Sequence, residues 1–395
     1  MLRTTPFHSR TAPLCQAQNW RRWAGYVVAG SYELLHDREY WAIRSAAALL
    51  DVSPLYKYLV RGRDAARLLD RVVTRAIGKC AVGQVMYTPW CDDAGKVLDD
   101  GTVTRLEEDG FRLTAAEPNL RWLHENCLGL DAEIEDVSDA TAALAVQGPA
   151  ARDVLRAALD ANLDHVRFFR ATNGRVDDVS LTITRTGYTG DLGYELWFDA
   201  RHAERIWDHL MTRGLPYGLT PAGILALDVA RIEAGLILLD VDYVPARKAL
   251  IEARTSSPFE LGLGWTVRLD KDYFVGQRVL RAEQAHPSAW QLRGLEIDWD
   301  GLERLYAEVG LPVELPATAW RTSVPVYAGG EQVGYATSGC WSPLLKRYIA
   351  LAHLKAPHTA PGSGLDMEVT VEHRRRRAPA RVRALPFFNP ERKRA

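Results

Sequence analysis

The stretch Thr184–Trp197 reads TRTGYTGDLGYELW, with Gly187, Gly190 and Gly193 at intervals of three and Tyr188, Asp191, Tyr194 and Glu195 set among them. Rings can wall a flat ligand. A carboxylate can accept two adjacent N–H groups at once, a charge-assisted bidentate pair. Glycines suit positive φ and let a backbone approach a ligand closely. A second group of such residues is Tyr87, the pair Asp99-Asp100, and Arg231. A carboxylate within hydrogen-bond reach of a reacting nitrogen can orient it, accept its proton and stabilise the positive charge that develops.

Each candidate also has a structural reading. Glu195 can be an exposed strand carboxylate, and Asp99-Asp100 a turn entering Thr102–Leu106. Arg231 lies three residues after Asp228, so an i,i+3 ion pair is its alternative to a contact with a ligand. Templates for other chemistries are missing. There is no GxSxG, no Walker loop and no GxGxxG after a strand, so acyl transfer, NTP hydrolysis and dinucleotide binding lack support.

The elements that must position these residues follow from periodicity. Val179–Thr184 alternates apolar and polar residues, and Tyr194–Phe198 reads as the returning strand. Asp64 is placed to cap a helix through Val73, and Asp199–Gly214 repeats the device. Thr220-Pro221 is expected to open a third helix that Gly235 closes. Ala143–Val146 runs through Gln147-Gly148-Pro149 into a helix over Ala150–Leu159. Beyond about residue 288, short apolar runs separated by Gly, Pro and Ser predict an all-β barrel or sandwich.

The chain has 395 residues, 47% apolar and 25% charged, with net charge −1. Two or three domains are expected at that length. The balance offers no electrostatic reason for a nucleic-acid or anionic-membrane partner. The basic run Arg374–Arg377 fits a solvated strand or turn. Five scattered cysteines without a CxxC pair, and ten histidines without ligand spacing, argue for a reduced, cytoplasmic protein with no metal. No apolar run approaches the ~18 residues of a membrane span.

The 2-amino-4-oxo edge of a pterin offers two adjacent N–H donors, and its ring needs aromatic or aliphatic walls. Glu195 and Tyr188 beside a permissive backbone meet both needs. The segment TRTGYTGDLGYEL resembles the TGYTGExGxE segment of the glycine-cleavage T-protein (aminomethyltransferase) family. Further motifs resemble that family in its order: LAVQGP (Leu144–Pro149), ALDVARIEAGL (Ala226–Leu236), LGWTVRLDKDYFVGQ (Leu263–Gln277) and TSGCWSPLLKRYIAL (Thr337–Leu351). The Arg-containing, acid-free front (Thr5–Tyr26) resembles the family's mature start, which favours a folded segment over a transit peptide.

The resemblance implies an α+β fold of three domains in a cloverleaf-like arrangement. The expected domains are residues 1–53 with 143–245, residues 54–142 with 246–288, and a C-terminal β-barrel over 289–395. It implies tetrahydrofolate as cofactor, Glu195 as acceptor for the pterin edge, Tyr188 and Tyr87 as walls, and Asp100 as the catalytic aspartate. Arg231 is implied as a cationic contact to the folate tail, with Lys346 and Arg347 as similar candidates.

Departures cluster near Asp99-Asp100. The segment before it reads Trp90-Cys91-Asp92-Asp93-Ala94-Gly95-Lys96, Gly101 follows it, and the link Leu236–Leu261 is longer than usual. These leave two donors open: an aminomethyl group on a lipoyl carrier protein, or a small, perhaps aromatic, methylated molecule for a demethylase. A non-enzymatic folate-binding role lacks its motif KGCYxGQ, since this chain has LDKDYFVGQ.

Overall fold

A computed structural model describes residues 2–395. Among the described residues two large open sheets, a small three-stranded sheet (Arg3–Thr4, Tyr26–Ala29 and Trp20–Trp23) and a closed barrel carry the chain. The first sheet orders its strands Ala171–Val176, Val179–Thr184, Gly193–Asp199, Thr141–Gln147, Ala47–Asp51 and Leu219–Pro221. The second orders Val85–Cys91, Val97–Glu107, Gly110–Ala115, Tyr56–Arg61 and Glu133–Asp136, all antiparallel. Six strands between Trp290 and Arg383 close the C-terminal barrel. The expected α+β class with a C-terminal barrel is therefore what the chain adopts.

Strand periodicity decides what each face of the first sheet meets. Along Thr141–Gln147, Ala142, Leu144 and Val146 join the core under helices Ala151–Ala158 and Ala203–Gly214. Ala143 and Ala145 point the other way, into the core that holds helix Ile224–Glu233. Small side chains on that face admit a helix whose residues Leu225–Glu233 are all buried.

Four local expectations need correction. Thr220-Pro221 does not open a helix; it pairs in parallel with Ala48-Leu49, and the helix begins at Ile224. Proline is tolerated there because this is an edge strand. Asp64 does not cap its helix, since its carboxylate accepts the N–H of Asp131 at 2.9 Å. Asp99-Asp100 lies within the strand Val97–Glu107 rather than in a turn before it. The C-terminal part also contains a helix, Trp299–Ala307, capped by Asp298, whose Oδ1 accepts the Gly301 N–H at 2.7 Å.

The buried helix Ile224–Glu233 carries charge into the core and finds partners for it. Glu233 Oε2 accepts from Arg44 Nη2 at 2.6 Å and Nε at 2.9 Å. Its Oε1 accepts from Tyr40 at 2.6 Å and from Ser342 of the barrel at 2.5 Å. Removing one partner of a buried pair leaves an uncompensated charge, at a cost of about 3–5 kcal/mol. We expect Glu233→Ala to lower the thermal unfolding midpoint by many degrees. Arg10→Ala, which breaks the half-exposed pair with Asp208 at 2.8 Å, should leave the midpoint almost unchanged.

Candidate active site

The glycine-rich segment links the strands Val179–Thr184 and Gly193–Asp199. Its glycines answer a different need from the one expected. Only Gly190 has positive φ, at 75°. A Cβ on Gly187 or Gly193 would lie 2.0 or 2.2 Å from Oε1 of Gln147. Those two glycines make room for a buried glutamine, not for a ligand. Gln147 then holds the segment, donating to Thr186 O at 3.2 Å and accepting from Thr189 Oγ1 at 2.9 Å.

Beyond this turn, Glu195 sits on its strand with Oε2 accepting from Thr186 at 2.5 Å and Thr184 at 3.4 Å. Burial pushes its carboxyl up; the Thr186 bond and the Arg112 charge pull it back. Tyr188 donates its hydroxyl to the Ile237 carbonyl. That contact ties the turn to the chain leaving helix Ile224–Glu233.

The second sheet supplies the aspartates. Successive residues of a strand face opposite ways, so one pair of identical side chains enters two environments. Asp99 is 0% exposed. Its oxygens accept from the N–H groups of Asp100 (2.7 Å), Ala116 (3.4 Å) and Glu117 (3.0 Å), and from Asn119 Nδ2 (2.7 Å). Burial, then the Asp100 charge, push its carboxyl up, to about 8, against those donors.

Asp100, half-buried, points to the opposite face of the strand. Its Oδ2 accepts from the Tyr87 hydroxyl at 2.8 Å and its Oδ1 from the Tyr243 hydroxyl. Burial raises the Asp100 pKa, and the bonds from Tyr243 and Tyr87 lower it in part. Both phenols are themselves held well above their ordinary range, by burial first and then by the Asp100 charge. They therefore act as donors to an oriented carboxylate.

Gly101 has a steric reason. A Cβ there would stand 1.9 Å from the Thr114 carbonyl across the sheet. The other departures before Asp99 are structural too. Trp90 is 0% exposed in the core of the second sheet, and its Nε1 donates to Asn119 at 3.1 Å. Asp92 accepts the Lys96 N–H at 2.9 Å in a tight turn, and Lys96 pairs with Glu260 at 3.2 Å.

Arg231 is 1% exposed, with Nε on Asp228 at 2.8 Å and Nη1 on Asp242. Nη1 also reaches the Leu236 carbonyl at 3.3 Å, beside the residue that holds Tyr188. The i,i+3 pair is thus present. Lys346 lies over the Trp41 ring, and Arg347 pairs with Glu296 at 3.3 Å.

Three residues packed against this group escaped the sequence reading. Tyr243 comes from the long link Leu236–Leu261, which drew attention by its length and not by any residue. Trp265, 57% exposed, stacks on Tyr87 with centroids 6.3 Å apart. Arg112 lies on the strand Gly110–Ala115 with its guanidinium carbon 4.2 Å from the Trp197 ring centroid. Its charge in an apparently ordinary β pattern was the one available signal.

Comparison with known proteins places this geometry. The family model for the GCVT N-terminal domain matches residues 6–271, and that for the glycine cleavage T-protein C-terminal barrel domain matches 308–389. The chain belongs to the glycine-cleavage T-protein family. Tetrahydrofolate is the one-carbon acceptor of this family.

An aminomethyltransferase of Halothermothrix orenii is 33% identical over 354 residues, covering 89% of this chain and 90% of that protein. A trimethylamine-oxide aldolase of Ruegeria pomeroyi is 32% identical over 408 residues, spanning all of this chain but 48% of that protein. The solved aminomethyltransferase T of the Bartonella henselae glycine cleavage system shares the T-protein fold. Its TM-score is 0.83 at 23% identity, over 98% of this chain and 99% of that one. No described helix is long and apolar enough to cross a membrane.

The residues present fit a folate. A carboxylate, aromatic rings and a second, tyrosine-held carboxylate converge from two sheets and one link. The two aspartates should separate in stability. Asp99→Asn keeps one acceptor oxygen but sets an amide donor against the two N–H groups that the other oxygen held, and we expect it to destabilise the fold by about 1–3 kcal/mol. Asp100→Asn faces two phenols that can also accept, and its melting curve should overlay the parent's.

Proposed function

We propose that this chain is a tetrahydrofolate-dependent aminomethyltransferase, taking an aminomethyl group from a lipoyl carrier protein and passing the carbon to tetrahydrofolate. The observation that carries the reading is Asp100, held by Tyr87 and Tyr243 on the face of its strand opposite the structural Asp99. Family membership supports the one-carbon chemistry. Aminomethyltransferase relatives that match along nearly the whole chain support the donor.

In this reading Glu195 accepts the N–H pair of the pterin edge, with Thr184 and Thr186 fixing its rotamer. Tyr188 and Tyr87 wall the ring. Tetrahydrofolate, when bound, supplies the nucleophilic nitrogens that receive the carbon. Asp100 orients the reacting nitrogen and accepts its proton. Tyr87 and Tyr243 favour the ionised form of Asp100 against the burial that disfavours it, and hold it in one rotamer, since each donates to a different oxygen. Arg231 contributes by securing the segment under Tyr188 and Tyr243, with Nη2 the guanidinium nitrogen left without a partner for the folate tail.

A second reading, demethylation of a small methylated substrate, is favoured by two observations. Tyr243, from the atypically long link, covers Asp100, and one relative is named as acting on trimethylamine oxide. Trp90, buried beneath the second sheet, takes no part in that argument.

The products separate the readings. Incubated with tetrahydrofolate and candidate donors, an aminomethyltransferase yields 5,10-methylene-tetrahydrofolate and ammonia. Appearance of 5-methyl-tetrahydrofolate instead would establish demethylation. We expect Asp100→Asn to lower turnover by about 10²-fold or more while folate affinity is kept. Glu195→Gln should weaken folate binding by about 1.5–3 kcal/mol in calorimetry; unchanged affinity would remove Glu195 from the site.

A further inference from the structure

Arg112 is a buried charged residue to which the roles above give no work. It lies on the strand Gly110–Ala115 of the second sheet and reaches across to the first, over the face of Trp197. Its side chain is 5% exposed, and among the described residues neither Nε nor Nη2 has a hydrogen-bond partner. An indole face attracts a cation but leaves its N–H groups unsatisfied. Buried polar groups are almost always hydrogen-bonded, and the exceptions call for a reason.

The neighbouring acid is Glu195, close enough for its charge to raise the Arg112 pKa against burial, which lowers it to about 9. Yet Glu195 Oε2 is turned to Thr184 and Thr186. Glu195 and Trp197 stand two residues apart on one strand and so share a face; the guanidinium over Trp197 lies on the same side of that sheet as the carboxylate and keeps two unpartnered donors.

We propose that Arg112 contacts the pterin ring directly, donating to its 4-oxo oxygen while Glu195 accepts from the adjacent ring N–H and 2-amino group. The inference rests on the folate reading above and adds a residue to it. Along a 2-amino-4-oxo edge the order is donor, donor, acceptor. A carboxylate beside a guanidinium presents acceptor, acceptor, donor. Replacing the oxo group by an amino group sets a donor against Arg112, and a site built to donate at that position rejects such a ligand.

The test is the ratio of two affinities, measured by calorimetry on the full chain with tetrahydrofolate and with its 4-amino-4-deoxy analogue. Arg112→Met should weaken tetrahydrofolate binding about tenfold or more, the scale of one charged hydrogen bond. Affinity for the 4-amino analogue should hold or rise, so that the preference ratio falls by about tenfold or more. Equal losses for both ligands, or an unchanged ratio, would overturn the proposal and leave Arg112 as a support for Trp197 and Glu195. Arg112→Gln, read through the same ratio, covers the case in which the methionine variant does not fold. If the parent protein binds neither ligand, the folate reading falls and takes this proposal with it; a parent that binds both with a ratio insensitive to residue 112 sinks the proposal alone.

Discussion

Helix Ile224–Glu233 runs through the middle of the molecule with charged side chains on a buried surface, and the structure must answer each of them. Glu233 binds Arg44, Tyr40 and, from the barrel, Ser342. Arg44 continues to the Thr189 carbonyl of the glycine-rich turn at 2.9 Å. Arg231 and Asp228 form the second group, joined to Asp242 and to Arg321. Asp242 in turn accepts from Thr337 at 2.6 Å and Ser338 at 2.7 Å of the barrel. An ion in such surroundings is tolerated only when its partners are fully in place. Helix, turn, link and barrel are therefore held to one another by charge satisfaction as well as by apolar packing.

That requirement explains why the candidate site residues hold their positions. Tyr188 rests on the carbonyl of Ile237, and Tyr243 follows Asp242 by one residue. Both are anchored by the segment that Arg231 and the barrel clamp. The glycine-rich turn is clamped from the opposite side by Gln147 and Arg44. Side chains on irregular backbone thereby gain the rigidity that strands give Tyr87, Asp100 and Glu195.

The pair Asp99-Asp100 shows how one geometric rule assigns roles. A strand sends alternate side chains to opposite faces. Asp99 spends its lone pairs organising the chain around Asn119, while Asp100 takes the opposite face with phenols on both oxygens. The order of the two residues along the strand, and not their chemistry, separates a carboxylate bound by backbone and amide donors from one held by two phenols.

What the sequence determined by itself was local or collective. The alternation in Val179–Thr184 marked a strand because burial on one face repeats every second residue. The motifs from Leu144 to Leu351, in order, carried the family and hence the class of fold. Glu195 and Tyr188 were nameable because they stand within one of those motifs, and Tyr87 and Asp100 because the family resemblance extends to the segments around them. The tertiary structure decided whatever depends on residues distant along the chain. Gly187 and Gly193 yield to Gln147, some forty residues earlier. Tyr243 reaches Asp100 across a separation of 143 positions, and Arg112 meets Trp197 from another sheet. Periodicity records which face of an element is buried, but not which distant side chain will lie against it. That pairing exists only once the sheets, the helix and the barrel have packed.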